Sequence, residues 1–365
     1  MKAVITGGGT GGHIYPALSV GLELKNRGWD ILYIGSENGL ESDIIPKYEL
    51  EFTAVPLAAL PRKLNFKLMK SIAKNIRGYR ESRKIISDFK ADIVFGTGGF
   101  VSGPVVMAAK RLGIKTLIHE QNVYPGIANR LLSYFVDRIA LNYLEAKKYF
   151  PFWARNKLVE TGNPIRESIL DTERKEALLK LKLKENKKTI LISGGSQGAR
   201  SINKAMLDVY KYFQDVNCVQ FIHISGTNNY NDYLKELEKE QIKLEDNFKI
   251  IPYLNNMEWA YAIADLVIFR AGATGLAEIT AKGMPAILIP YPYAAGNHQE
   301  YNAMTLREAG AAMVIKDSDL NGPILIEKIN EIIKDEKLLT SMKRESKKLG
   351  HPEACLNIVN IIEVL

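Results

Sequence analysis

The chain has little cysteine, no long apolar run and no surplus of acid. Its two cysteines, Cys218 and Cys355, stand far apart in 365 residues and form no metal-spaced pair. That argues against a disulfide framework or a cysteine zinc site and fits a reducing compartment. No apolar run approaches the roughly 18–20 residues a membrane-spanning helix needs. Strand-like sequence begins at Lys2, which leaves no room for a signal peptide ahead of it. A cytosolic location is expected. Acid is outnumbered: 49 Lys and Arg against 41 Asp and Glu give a formal charge of +8. Such an excess suits nucleic acid, anionic lipid or a phosphorylated substrate. The remaining composition is that of a soluble α/β protein, and 365 residues predict two domains.

Glycine, by contrast, is placed with purpose. The run Lys188-Thr189-Ile190-Leu191-Ile192-Ser193 reads as a strand and ends in Gly194-Gly195-Ser196-Gln197-Gly198-Ala199. A helix is expected from Ser201. A strand that ends in glycines and opens a helix leaves unpaired backbone N–H groups at the positive end of the helix dipole, so this junction suits a phosphate. The chain opens the same way, with Lys2 to Thr6, then Gly7-Gly8-Gly9-Thr10-Gly11-Gly12 and His13. Two such units imply two doubly wound α/β domains facing across a cleft. A helix is expected over Pro16–Arg27, packing through Ala17, Leu18, Val20, Gly21 and Leu24. The spacing Gly7-x-Gly9-x-x-Gly12 matches the dinucleotide fingerprint, yet the next strand (Ile31 to Ile34) ends in Gly35-Ser36 without the acid a nicotinamide site wants.

Basic charge concentrates between Leu57 and Lys90, where ten Lys and Arg face only Glu81 and Asp88. At 100° per residue, Leu68, Ile72, Ile76 and Tyr79 share a stripe that is expected to pack on the core. Lys63, Lys70, Lys74, Arg77 and Lys84 fall opposite and suit anionic headgroups. Leu57 to Pro61, with Leu64 and Phe66, could dip into such an interface. No aromatic stacking series supports nucleic acid.

Further strand ends carry polar or small residues. Asp92 to Phe95 leads to Gly96-Thr97-Gly98-Gly99-Phe100-Val101-Ser102-Gly103-Pro104 and a helix over Val105–Leu112. Lys115 to Ile118 leads to His119-Glu120-Gln121-Asn122. Leu266 to Phe269 leads to Arg270-Ala271-Gly272-Ala273-Thr274-Gly275-Leu276-Ala277-Glu278, where the carboxylate suits a ribose diol. In open parallel sheets this edge binds ligands. Other strands are expected at Val219–Ile224, Phe248–Ile251 and Met284–Pro290, with helices over Thr172–Asn186 and Glu353–Leu365. His223, alternating inside an apolar strand, reads as a core histidine. The stretch Glu160 to Arg166, punctuated by Gly162 and Pro164, reads as an interdomain joint.

Seven stretches in order carry a resemblance: Gly8 to His13 with Pro16-Ala17; Gly98 to Pro104; His119 to Asn122; Gly162-Asn163-Pro164 with Arg166; Gly194 to Ala199; Arg270 to Ala273 with Glu278; and His298-Gln299 before Asn302-Ala303. The chain resembles the MurG family, inverting N-acetylglucosaminyltransferases of GT-B fold that convert lipid I to lipid II in peptidoglycan synthesis. The resemblance implies an acceptor and membrane-binding domain over residues 1–163 and a donor domain over 164–349, with the terminal helix (about 350–365) packing back on the first. It implies UDP-N-acetylglucosamine as donor substrate, no cofactor and no metal. Donor contacts would be Thr10, Gly11, Gly12, Asn122, Arg166, Ser196, the backbone at Leu254, Ala273, Thr274, Gly275, Leu276, Ala277, Glu278 and Gln299, with Asn203 supporting the loop or the sugar. Gly8, Gly9, Gly98, Gly99 and Ser102 would hold the diphosphate of an undecaprenyl-linked acceptor. His13 is the candidate base and Glu120 the second candidate. Leu64, Phe66, Lys70, Lys74 and Arg77 would form a peripheral contact with the cytoplasmic leaflet, where cell-wall synthesis proteins are possible partners. Asp317-Ser318-Asp319 has the form of an acidic metal motif but reads as a turn. The alternatives are another lipid-acceptor GT-B enzyme, a GT-B-like sugar-nucleotide epimerase, or a silent nucleotide-sugar binder.

Overall fold

The computed structural model describes residues 1–61, 66–195, 197–242 and 247–365. The chain divides into two units, one of residues 1–165 and 351–365, the other of residues 166–350. Each is an all-parallel sheet covered by helices on both faces, the arrangement that near-continuous apolar strands demand.

In the first unit β1 (Lys2–Thr6), α1 (Gly11–Asn26), β2 (Asp30–Ser36), α2 (Leu40–Ile44) and β3 (Glu51–Val55) form one half. The other half holds α3 (Phe66–Phe89), β4 (Ile93–Gly96), α4 (Gly99–Arg111), β5 (Lys115–Glu120), α5 (Ile127–Leu132), β6 (Arg138–Leu141) and β7 (Leu158–Glu160). The strand order is β3-β2-β1-β4-β5-β6-β7, so direction of winding reverses between β1 and β4. Two cores result, one on each sheet face.

The second unit runs α6 (Glu167–Asp171), α7 (Arg174–Leu181), β8 (Lys188–Ser193), α8 (Arg200–Phe213), β9 (Val219–Ile224), α9 (Tyr230–Lys239) and β10 (Phe248–Ile251). It continues with α10 (Met257–Ile263), β11 (Leu266–Phe269), α11 (Ala273–Ala281), β12 (Ala286–Leu288), α12 (His298–Glu308), β13 (Ala312–Val314), α13 (Gly322–Lys334) and α14 (Glu336–Lys348). Its order is β10-β9-β8-β11-β12-β13, with the reversal between β8 and β11. The last helix, α15 (Ala354–Val364), belongs to the first unit, where Ile358, Val359 and Ile362 pack with Ile14 and Leu18 of α1.

Helix starts differ from the sequence expectation in an instructive way. Both α1 and α4 begin at the glycines, at Gly11 and Gly99, rather than at Pro16 and Val105. In each, proline is the sixth helical residue. A proline there forfeits one bond, to the carbonyl of the second helical residue, and core packing of the helix tolerates it. The helix expected over Thr172–Asn186 is only α7, ended by Lys182 in the left-handed region. The strand expected over Met284–Pro290 is the three-residue β12.

The stripe on α3 is the larger correction. The residues it buries are Gly78, Ser82 and Ile86, while Ile72 and Ile76 are 39% and 50% exposed. The cause is close approach: a Cβ on Gly78 would lie 2.5 Å from both the Pro56 carbonyl oxygen and Leu57 Cδ2. Gly78 and Ser82 let α3 come close here, and Ile86 packs in the core with Tyr79 against it, whereas Ile72 and Ile76 do not.

Candidate functional site

At each reversal of strand order two strand-to-helix loops diverge and leave a crevice at the carboxyl edge of the sheet. In the second unit this crevice is a cavity of about 760 Å³. Its floor is the loop after β8 and the first residues of α8; its walls include Tyr253, Leu254, Tyr261, Phe269, Gly275, Glu278, Tyr291 and Gln299. The glycine loop requires glycine at defined points. Gly195 and Gly198 have φ of +86° and +73°, and a Cβ on Gly198 would meet the Ser225 carbonyl oxygen at 2.1 Å. Ser196 lies outside the described residues.

Glu278 reaches this cavity from α11, and its environment is polarised. Tyr261 Oη donates to Glu278 Oε2 at 2.8 Å, and Arg166 Nη2 lies 3.8 Å from Glu278 Oε1. Burial raises the Glu278 pKa, with Arg166 and the Tyr261 bond acting in the opposite direction. Gln299 Oε1 accepts from the Tyr291 N–H at 2.9 Å, which orients its amide. Asn203, expected near the loop or the sugar, is turned inward. Its Oδ1 pairs with His223 Nε2 at 3.1 Å and its Nδ2 donates to the Ser225 carbonyl at 3.0 Å, so it braces the backbone that crosses Gly198. His223 is a core histidine as expected, with Tyr210 Oη 2.7 Å from Nδ1.

Sequence reasoning missed one cluster. Asp317 Oδ1 accepts from Ser201 Oγ and from Arg270 Nη1, each at 2.6 Å, and Arg270 Nη2 donates to Ser201 Oγ at 2.9 Å. This triad ties the start of α8 to the ends of β11 and β13. Asp317 does sit in a turn. Among the described residues no group of three or more His, Cys, Asp or Glu is arranged to hold a metal ion.

In the first unit the loops after β1 and β4 lie against each other. A Cβ on Gly99 (φ +78°) would sit 2.2 Å from the Gly8 carbonyl oxygen. The half-buried His13 ring packs on Gly98 and Gly99, and its Nδ1 lies 2.9 Å from the Thr97 carbonyl oxygen. A carbonyl only accepts, so Nδ1 carries the proton and the lone pair of the neutral ring is on Nε2. The same Thr97 oxygen accepts from Gln121 Nε2 at 2.6 Å. Gln121 Nε2 also lies 3.1 Å from His119 Nδ1, and His119 Nε2 bonds the Gly162 carbonyl at 2.9 Å. A fixed polar chain thus runs from Gly162 through His119 and Gln121 to His13.

Several other predicted residues serve as supports. Glu120 is 1% exposed and accepts four bonds: from Asn122 N and Nδ2 at 3.0 and 3.2 Å, from Gly126 N at 3.0 Å, and from Asn129 Nδ2 at 2.8 Å. Such a carboxylate holds the loop through Asn122 and is poorly placed to take a substrate proton. Ser102 is likewise buried: its Oγ accepts from the Gly98 N–H at 3.0 Å and lies within hydrogen-bonding reach of the Thr6 and Gly98 carbonyls. Thr10 caps α1 in extended conformation, and the start of α1 at Gly11 and Gly12 is partly exposed.

The profile of the glycosyltransferase family 28 N-terminal domain matches residues 3–141, and that of the family's C-terminal domain matches residues 189–357. The UDP-N-acetylglucosamine–N-acetylmuramyl-(pentapeptide) pyrophosphoryl-undecaprenol N-acetylglucosamine transferase of Halothermothrix orenii is 55% identical over 365 residues, covering 100% of this chain and 98% of its own length. The enzyme of the same name from Desulforamulus reducens is 47% identical over 367 residues, with 100% and 98% covered. Among solved structures, MurG of Acinetobacter baumannii superposes with a TM-score of 0.77 at 26% identity, covering 100% of this chain and 99% of that one. A UDP-GlcNAc 2-epimerase from Neisseria meningitidis, bound to UDP-GlcNAc, gives 0.69 at 15% identity with both chains fully covered, a likeness of fold alone. Two Rossmann-like domains with these matches define a GT-B glycosyltransferase. The chain belongs to glycosyltransferase family 28, among the UDP-N-acetylglucosamine–N-acetylmuramyl-(pentapeptide) pyrophosphoryl-undecaprenol N-acetylglucosamine transferases.

The buried imidazoles predict acid sensitivity. Burial holds His119 down to about 4, despite the opposing Gly162 bond, and His223 down to about 3. Below about pH 6.5 the unfolded chain binds these protons and the folded chain does not, so stability rises with pH across that window. The contribution is complete above pH 6.5 and is lost as pH falls towards 4. At pH 5 each histidine is expected to cost on the order of 1–2 kcal/mol. Thermal unfolding followed from pH 7 to pH 5 should show Tm falling, and His223→Gln should flatten part of that slope.

Proposed function

We propose that this chain moves N-acetylglucosamine from UDP-N-acetylglucosamine to the C4 hydroxyl of the muramyl sugar on undecaprenyl-diphosphate-linked pentapeptide, the lipid I to lipid II step of peptidoglycan synthesis. The observation that carries the reading is the full-length identity of 55% to a transferase named for that reaction, on a chain whose second unit holds a cavity of nucleotide-sugar size. The donor belongs in that cavity. Its diphosphate sits where α8 and α11 begin, on backbone N–H groups and the positive helix ends. Glu278, kept available by Arg166, accepts from the ribose diol, and Gln299 bonds the sugar. The UDP-sugar is a substrate and no cofactor takes part.

The first unit takes the acceptor, with its diphosphate against the glycine loops after β1 and β4. The muramyl oxygen attacks C1 of the donor, the bond from C1 to the UDP oxygen breaks with inversion, and UDP leaves with the electron pair. His13 Nε2 takes the hydroxyl proton. Its Nδ1–H, committed to the Thr97 carbonyl, fixes the tautomer that leaves Nε2 basic. Purified protein should release UDP from UDP-N-acetylglucosamine only when a lipid I analogue is present. His13→Ala should lower kcat by about 10²–10⁴-fold with little change in the donor KM. Release without any acceptor would favour a hydrolysing epimerase, and near-normal turnover in His13→Ala would remove the base assignment.

The protein acts as a peripheral protein at the cytoplasmic leaflet, and no helix among the described residues is long and apolar enough to cross a membrane. The face that supports membrane contact is the outer side of α3. Phe66 and Met69 are 89% and 67% exposed and fall on one stripe with the exposed Ile72 and Ile76, beside a flank of basic side chains. Leu64 lies outside the described residues. In the same helical layer, Ile127 and Leu131 of α5 and the nearby Phe152 and Trp153 add exposed apolar surface. Lys74 and Arg77 have acidic neighbours, Glu37 at 3.0 Å and Glu81 at 2.7 Å, whereas Lys70 has none among the described residues. Lys70→Gln should therefore weaken binding to anionic vesicles several-fold, about 1 kcal/mol, and more than Lys74→Gln or Arg77→Gln. Wild-type binding that is equal on neutral and anionic vesicles would contradict this face.

A further inference from the structure

Glu41 is a fully buried acid that the reaction as described does not use. It stands on α2, five residues beyond the end of β2, and turns inward beneath the first glycine loop. Its Oε1 accepts from Ser36 N at 3.0 Å and Ser36 Oγ at 2.6 Å, and its Oε2 accepts from Gly9 N at 3.1 Å. Three glycines close around the carboxylate. A Cβ at Gly8, Gly35 or Gly39 would come within 2.2–2.7 Å of the Glu41 side chain. A buried carboxylate is retained only when donors satisfy it, and bonds to an ionised acceptor are stronger than neutral ones.

The bond to Gly9 falls at a sensitive point. Gly9 has φ +83° and precedes Thr10, the residue whose carbonyl accepts from His13 N at 3.1 Å and Ile14 N at 3.2 Å to start α1. Gly8, on the other side, is held between Glu41, Val101 and the backbone at Gly99. Fixing Gly9 therefore fixes both the start of the helix that carries His13 and the loop that meets the second glycine turn. It also commits the Gly9 N–H to the protein itself. An acid at the end of β2 serves a nicotinamide ribose in dinucleotide sites. Here the acid arrives later, points inward, and fills the space below the loop.

We propose that Glu41 is a positioning residue for the acceptor half of the reaction, holding the Gly7–Gly12 loop in the shape that seats the acceptor diphosphate and aims His13. The inference rests on the reading of the first unit as the acceptor side. Glu41→Gln keeps the volume but sets an amide N–H against donors. It is expected to lower kcat/KM for a lipid I analogue at least tenfold, with the KM for UDP-N-acetylglucosamine within twofold of wild type. Amide hydrogen exchange at Gly9 should accelerate while exchange in the β8–α8 loop stays unchanged. Ser36→Ala, which removes only the hydroxyl donor, should give a smaller change of the same kind and serves if Glu41→Gln does not fold. Unchanged acceptor kcat/KM and unchanged Gly9 exchange, in a protein whose wild type is active, overturn the proposal. A rise in the KM for UDP-N-acetylglucosamine as large as that for the acceptor overturns it too, since that marks a general effect on folding. If the wild type shows no acceptor-dependent transfer, the assigned reaction fails, and Gly9 exchange alone still tests the hold of Glu41 on the loop.

Discussion

The positive end of a helix that opens straight from a strand is the constraint on which this molecule depends. Each unit reverses its strand order once, and beside each reversal two strands run out into small residues that open helices: α1 and α4 in the first unit, α8 and α11 in the second. Such helix starts are satisfied by a capping side chain, by water or by a bound anion. Among the described residues, none of the four N-cap residues (Thr10, Gly98, Ala199 and Gly272) caps its helix with its own side chain. Glycine at positive φ and bare backbone contacts, as between Gly99 and Gly8 or Gly198 and Ser225, bring the loops close enough to frame small anionic groups. Such backbone geometry suits a phosphate before any side chain is considered.

The polar side chains near these loops are mostly occupied with holding them. Glu120, Ser102, Asn203, Gln121 and Glu41 are all buried and spend their hydrogen bonds on backbone or on neighbouring protein side chains. A backbone loop that must bind an anion without moving needs such inward bracing, because unsupported glycine is conformationally free. The groups that can face a ligand are fewer: the helix starts, His13, Glu278 and Gln299. The Asp317–Arg270–Ser201 triad belongs with the braces, since it fastens the start of α8.

The two-domain parallel architecture was legible because the inner strands are short apolar runs, several ending in glycine or small polar residues, and that pattern needs no tertiary information; β3, β6, β7 and β13, towards the sheet edges, were not read. The site was legible as a set of loops for the same reason. What could not be read was direction. Glu120 and Asn203 carry the right chemistry at the right edge, yet whether a side chain points to ligand or loop depends on partners distant in sequence, such as His223 for Asn203. The stripe on α3 failed in part for a related cause, since Tyr79 packs on the core but Ile72 and Ile76 do not. Helical periodicity locates apolar residues, but Gly78 decides which side of the helix can approach the sheet. Pro16 and Pro104 misplaced two helix starts because propensity near a terminus yields to packing.

The most direct test is a crystal structure of the protein with UDP bound. The account predicts its phosphates within hydrogen-bonding distance of backbone N–H groups at the start of α8 or α11, and its ribose diol on Glu278. UDP held instead by the Gly7–Gly12 loop of the first unit, with the Gly9 N–H released from Glu41, would contradict the assignment of donor and acceptor to the two units.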